Sequence, residues 1–148
     1  MKFYNFFKKN PSTFIERWHS DAFSDQKIAL QIFKDVKKRL KLIPNPFVGW
    51  RSAPNQKFKT VYINENGLRS KSLKTLEHKE NCFLLGGSVA WGFGASSNER
   101  TPAYQIEKIL NEKYNLNFNV INLAEQSYSS IEELNAFITS FHELNPKM

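Results

Sequence analysis

The sequence predicts an α/β protein in which parallel strands alternate with helices behind a basic helical extension. Three observations carry that reading. Cys82-Phe83-Leu84-Leu85 is a short, wholly apolar run, as expected of a strand covered on both faces. A second strand-like run, Phe118-Asn119-Val120-Ile121-Asn122-Leu123, follows a segment of helical period. Positive charge is concentrated at one end: residues 1–45 hold ten Lys/Arg against four Asp/Glu, whereas 46–148 hold eleven against ten.

Taken in order, Asn10-Pro11 reads as a helix start, with Asn as cap and Pro at the first helical position. Ser24 is placed to cap a longer helix over 25–42, in which Ile28, Ile32, Phe33, Val36 and Leu40 recur at three- and four-residue steps. Lys34, Lys37, Lys38, Arg39 and Lys41 crowd its C-terminal half, where they suit the negative end of the helix dipole. Pro44 and Pro46 end it. The bland role for this extension, residues 1–45, is a helical pair packed on the following domain. The basic cluster also suits an anionic partner, but it carries no nucleic-acid reader motif.

Residues 46–79 form an irregular lead-in with some strand. Lys59 through Ile63 has β-branched and aromatic character, and Asn66-Gly67 is a strong turn signal. From residue 80 to 148 the pattern becomes strand, helix, strand, helix, which predicts a parallel, doubly wound sheet. Thr101-Pro102 opens the first helix, with Ala103, Ile106, Ile109 and Leu110 on one face. Ser130-Ile131-Glu132-Glu133 spells a capping box for the second, which carries Leu134, Phe137, Ile138 and Phe141 at helical spacing.

No apolar run approaches the roughly 20 residues needed to cross a membrane. Met1 through Lys9 lacks the apolar length and cleavage site of a signal peptide, and the single Cys82 agrees with a reducing compartment. A cytoplasmic location is the expectation. No residue pattern calls for a metal or an organic cofactor.

The chemistry-bearing segment follows the first strand: Gly86-Gly87-Ser88-Val89-Ala90-Trp91-Gly92-Phe93-Gly94. A serine at the carboxyl end of such a strand sits where doubly wound sheets bind ligands. Its backbone N–H, at the start of a helical turn, suits a developing oxyanion. The spacing fits neither a dinucleotide loop nor a P-loop, and Ala90 stands where a nucleophile elbow would have its last glycine.

Phe83 through Ser96 resembles the first motif block of SGNH/GDSL hydrolases, in the variant with Gly-Gly-Ser for Gly-Asp-Ser. Val120 through Leu134 resembles the second block, in which an Asn is followed by small residues, Gly, Tyr and Ser. Phe47-Val48-Gly49-Trp50-Arg51 and Ile63-Asn64-Glu65-Asn66-Gly67-Leu68-Arg69 are similar to the lead-in of bacterial members, so the likeness spans 46–148. It implies a three-layer, flavodoxin-like α/β/α fold, Ser88 as nucleophile, and the backbone N–H groups of Ser88 and Ser127 as oxyanion donors. Ser127 occupies the family's glycine position, and a positive φ there would cost a serine about 1 kcal/mol or more.

The family's third block, Gly-x-Asn-Asp, and its last, Asp-x-x-His, have no counterpart among the 148 residues, and His19, His78 and His142 stand in no such setting. The chain therefore reads as a truncated, inactive N-terminal portion of a serine ester hydrolase, its sheet edge open to a partner or to a missing C-terminal half. The implied substrate is a small ester or an O-acyl group on a carbohydrate, cleaved through an acyl-serine. Transfer of the acyl group to another alcohol, and a non-catalytic binding module on the same core, are the alternatives.

Overall fold

The computed structural model describes residues 25–76 and 80–144, with no account of the side chains of 142–144. The expected start at Asn10-Pro11, the cap at Ser24, His19 and His78 lie outside the described residues. The first described helix, α1, spans Gln26–Phe33 and continues as a wider helical turn over Lys34–Arg39. Its cap is Asp25, whose carboxylate accepts the backbone N–H groups of Lys27 (2.9 Å) and Ile28 (3.2 Å).

This helix stops three residues short of the expected position 42. Leu40 is extended, and its N–H closes the widened turn on the Asp35 carbonyl at 2.8 Å. The Asp35 carboxylate is fully buried and accepts the N–H and hydroxyl of Thr60 (3.0 and 2.9 Å), so a long-range contact sets the last turn. Ile32 and Val36 face inward as the spacing predicts, and Leu40 packs against the same core from beyond the helix end. Ile28 is 41% exposed, so the inward face is narrower than its period suggested.

Chain beyond the helix forms a hairpin. Strand β1 (Leu42–Asn45) pairs antiparallel with β2 (Gly49–Ser52), with Ile43 opposite Arg51 and Pro44 opposite Trp50. A two-stranded ribbon leaves outward-facing positions at which Pro loses no ladder bond, which is why Pro44 is tolerated. The Asn45 side chain makes the turn by accepting the N–H groups of Phe47 (3.0 Å) and Val48 (3.1 Å). Strands β3 (Gln56–Lys57) and β4 (Tyr62–Ile63) form a second small ribbon, so only the end of the expected strand 59–63 is strand.

The core of the site-bearing region is a parallel pair. Strand β5 (Glu80–Leu84) runs parallel to β6 (Phe118–Asn122), with Cys82 opposite Val120 and Leu84 opposite Asn122. Between them lie the short helix α2 (Ser88–Trp91) and α3 (Pro102–Lys108), which continues as a wide turn over Ile109–Lys113. Helix α4 (Ser130–Leu144) follows. The chain is thus mixed α/β, with one parallel and two antiparallel strand pairs among the described residues. None of its described helices is long and apolar enough to cross a membrane.

Two helical faces differ from their sequence pattern. Thr101 and Pro102 open α3 as expected, but of its apolar residues only Ala103 is fully buried, while Ile106 and Ile109 are exposed. The face turned to the sheet is polar instead: Glu107 accepts the Val120 N–H at 2.7 Å, and the Asn111 side chain both donates to the Phe118 carbonyl (2.8 Å) and accepts its N–H (2.9 Å). On α4, Phe137 meets Phe83 edge-on at 6.2 Å, whereas Leu134 and Ile138 are exposed. Its capping box is displaced by one residue: Glu132 accepts both the N–H and the hydroxyl of Ser129, the residue before the helix.

The three stretches of chain share one interior. Ala29, Ile32 and Val36 of α1 pack with Val61 and Ile63 from the β3–β4 segment, and with Trp91 and Ala124 beside the glycine-rich turn. The described helix of the basic extension, α1, is therefore a wall of the core beneath the glycine-rich turn.

Candidate functional site

The turn after β5 depends on glycine at two points. Gly86 has φ +146°, and a Cβ there would lie 2.5 Å from the Cβ of Ala90. Gly92 ends α2 in the left-handed region, φ +93°, where a Cβ would lie 2.6 Å from Thr101 Cγ2. Between them the chain makes a single helical turn that begins at Ser88. Ser88 is exposed, and its neighbour Val89 is 82% exposed, so the turn presents both to solvent.

Segment 123–129 lies directly against this turn. The parallel register continues past the strands, with the Leu123 N–H on the Leu84 carbonyl (2.9 Å) and the Glu125 N–H on the Gly86 carbonyl (3.3 Å). A Cβ on Gly87 would stand 3.2 Å from the Tyr128 carbonyl. Ser88 and Ser127 are each one residue from that approach, and both are exposed. Ser127 has φ +63°, the left-handed conformation that favours glycine, so the serine is held there at a cost of about 1 kcal/mol or more. Asn122 ties the two segments together: its amide donates weakly to the carbonyls of Ala90 (3.3 Å) and Trp91 (3.4 Å), and its oxygen accepts the Ala124 N–H (3.1 Å).

Both segments are anchored from the lead-in. The fully buried Arg69 guanidinium donates to the Gly92 carbonyl (2.7 Å), the Thr60 carbonyl (2.8 Å) and Asn98 Oδ1 (3.2 Å), and lies 4.5 Å over the Trp91 ring. Burial lowers its pKa to about 10, with Glu125 and Glu99 opposing the shift, so it remains a cation at neutral pH. On the other side, Ser52 donates its N–H (2.8 Å) and hydroxyl (2.6 Å) to the buried Glu125 carboxylate, and Glu125 Oε1 accepts the Gln126 N–H at 2.9 Å. Trp50 donates its indole N–H to the Gln126 carbonyl (3.0 Å), and Tyr128 donates its hydroxyl to the Trp50 carbonyl (2.7 Å). Burial pushes Glu125 above the usual carboxylate range, although its hydrogen bonds from Ser52 and Gln126 pull the other way. It likewise pushes Tyr128 up to about 12, which keeps the phenol a neutral donor.

Of the residues expected from sequence, the structure thus brings Ser88 and Ser127 onto two touching segments. It does not bring a described histidine side chain to them: His19 and His78 lie outside the described residues, as does the side chain of His142. Sequence reasoning missed Arg69, Glu125, Ser52 and Asn122 as the supports of these segments. The available signal was that Arg69 falls inside the family-like lead-in and Asn122 and Glu125 inside the second family-like block. Among the described residues no cluster of His, Cys, Asp and Glu is arranged to hold a metal ion. No protein-family model matches the chain, and no curated protein matches it.

Proposed function

We propose that this chain carries the nucleophile half of an SGNH/GDSL-type serine ester hydrolase, in which β5 and β6 are the first two strands of a three-layer, flavodoxin-like α/β/α domain. Ser88 is the nucleophile, and the backbone N–H groups of Ser88 and Ser127 receive the oxyanion. The observation that carries this reading is the approach of Gly87 to Tyr128, with Ser127 in a left-handed conformation beside it. A preorganised pair of backbone donors needs two loops fixed against each other, and the Arg69 and Glu125 anchors supply that rigidity.

In the reaction the Ser88 hydroxyl attacks the acyl carbonyl of a small ester or acylated carbohydrate, its proton passes to a base, and the alcohol leaves with a proton. Water then releases the acid from the acyl-serine; capture by a second alcohol would make the same site an acyltransferase. Among the described residues no histidine side chain stands beside Ser88, and a polypeptide that supplied the base would belong on the outer edge of β5. Among the described residues β5 pairs with β6 alone, all five of its residues are only half-buried, and Ile131, Leu134 and Ile138 of α4 are exposed.

The 148-residue chain is therefore expected to show no turnover of a short-chain aryl ester above its Ser88→Ala control. A neutral serine hydroxyl without its base is close to inert, and loss of the base alone costs about a millionfold in subtilisin. Adding a polypeptide that bears Gly-x-Asn-Asp and Asp-x-x-His segments, fused or in trans, should create hydrolysis that Ser88→Ala abolishes. A folded but inactive complex would refute the hydrolase reading. Ser88-dependent turnover by the chain alone would show that it already contains the base.

A further inference from the structure

The charge of this chain has a face that the proposed reaction does not use. Between residues 26 and 64 there are nine Lys/Arg and a single acidic residue, Asp35, whose carboxylate is fully buried. The cations at the end of α1 and on the neighbouring loop converge in space. Gln56 bonds both the N–H (2.8 Å) and the carbonyl (3.0 Å) of Lys41, which holds the backbone of β3, Gln56–Lys57, close to Lys41. Arg39 lies 5.8 Å from the centre of the Phe58 ring, between Lys57 and Lys59 in the sequence. Lys38, Arg39, Lys41, Lys57 and Lys59 are all exposed.

The second feature is apolar. Ile43, two residues after Lys41 in the sequence and directly opposite Arg51 in the ladder, is 42% exposed. Phe47, at the tip of the β1–β2 hairpin, is 64% exposed. Solvated lysine-rich faces do not need aliphatic side chains set among them. Duplex nucleic acid offers phosphates to the lysines but nothing comparable to the isoleucine. A bilayer carrying anionic headgroups offers both: phosphates and carboxylates for the cations, and an acyl boundary for Ile43 and for Phe47 at the hairpin tip.

From this juxtaposition we propose that the end of α1 and the β1–β2 hairpin form a docking surface for an anionic lipid bilayer. Cations draw the chain to the membrane within a Debye length, and the exposed apolar side chains enter the headgroup region once it arrives. The surface lies on residues 34–59, and its operation does not depend on whether Ser88 is catalytic.

Flotation of the full 148-residue chain with phosphatidylserine-containing vesicles, against pure phosphatidylcholine vesicles, tests this. The chain should float with the anionic vesicles only, and Lys41→Glu with Lys59→Glu should weaken binding by roughly tenfold or more. Ile43→Ser should weaken it by a few-fold, and what remains should be released by raising salt from about 0.1 M to about 0.5 M, where screening is severe. Matching thermal melts for the variants keep folding out of the comparison, and Lys41→Gln with Lys59→Gln should give the same loss at a smaller scale. The proposal is overturned if anionic vesicles do not carry the chain, or if the charge reversals leave flotation unchanged. It is also overturned if random duplex DNA binds as tightly as the vesicles and Ile43→Ser has no effect, since the surface would then be a general polyanion site.

Discussion

β5 and β6 lie side by side in register with three apolar residues each, yet β5 is the more exposed. Each of the five residues of β5 is only half-buried although it contains Cys82, Phe83 and Leu84. In β6 the last four residues are buried, and two of them are Asn119 and Asn122. The difference lies in what covers each strand. The outer edge of β6 is closed by side chains of α3: Glu107 takes the Val120 N–H, Asn111 takes both polar groups of Phe118, and Lys71 bridges Glu107 (2.8 Å) and Asn119 (3.0 Å). An edge sealed by charged and amide side chains does not recruit another strand. No described element performs this service for β5, so position in the sheet, rather than composition, decides burial here.

The comparison is sharpest in the cores of the two strands. Ile121→Ala in β6 removes a fully buried side chain packed among Leu68 and Leu123, and should lower stability by about 2–5 kcal/mol. Leu84→Ala in β5 should cost clearly less, because its side chain already meets solvent. Equal losses in denaturant titrations would mean that β5 is covered in solution. The turns that follow the strands should respond with opposite signs. Gly86→Ala, after β5, forces a Cβ against Ala90 at φ +146° and should destabilise by about 1–3 kcal/mol or more. Ser127→Gly, after β6, relieves a left-handed serine and should raise stability by up to about 1 kcal/mol, the residue's added backbone entropy taking part of the gain. A loss of stability in Ser127→Gly would show that its side chain does more than occupy the turn.

The smallest effect concerns the anchor of the β6 segment. Because burial raises the pKa of Glu125, the folded chain holds that proton to higher pH than the unfolded one. The stability it contributes is complete below the ordinary carboxylate range and is lost as pH rises through the raised value. Glutamine does not titrate. The stability of Glu125→Gln relative to the parent chain should therefore increase between about pH 4 and about pH 7. A difference that stays flat, or runs the other way, would show that the Ser52 and Gln126 hydrogen bonds outweigh desolvation.

Much of the α/β plan was legible in the sequence, since strand and helix periods alternate from residue 80 onward. The Thr101-Pro102 start and the parallel order of the two strands are local or topological matters, and both appear as expected. The misread details have a common cause. The helix over 25–42 stops at Arg39 because buried Asp35 answers to Thr60, 25 residues away. The apolar stripe of α3 stays outside because Glu107 and Asn111 are needed on the strand edge. At the candidate site, Ser88 and Ser127 stood out through a family-like pattern, but the clamp that holds their segments did not. Glu125 meets Ser52 across 73 residues, and Arg69 reaches Gly92 across 23.

By itself, then, the sequence determined the order of strand and helix from residue 80 onward, where glycine must turn the chain, and which serine stands at the end of the first strand of that region. Those choices rest on steric limits and side-chain periods that act within a few residues. Only the tertiary structure decided which apolar faces are used, where α1 ends, and which buried charges lock the Gly86–Gly94 turn against segment 123–129. A buried carboxylate or guanidinium is tolerated only where distant partners satisfy it, and no local pattern records where the fold will bring those partners.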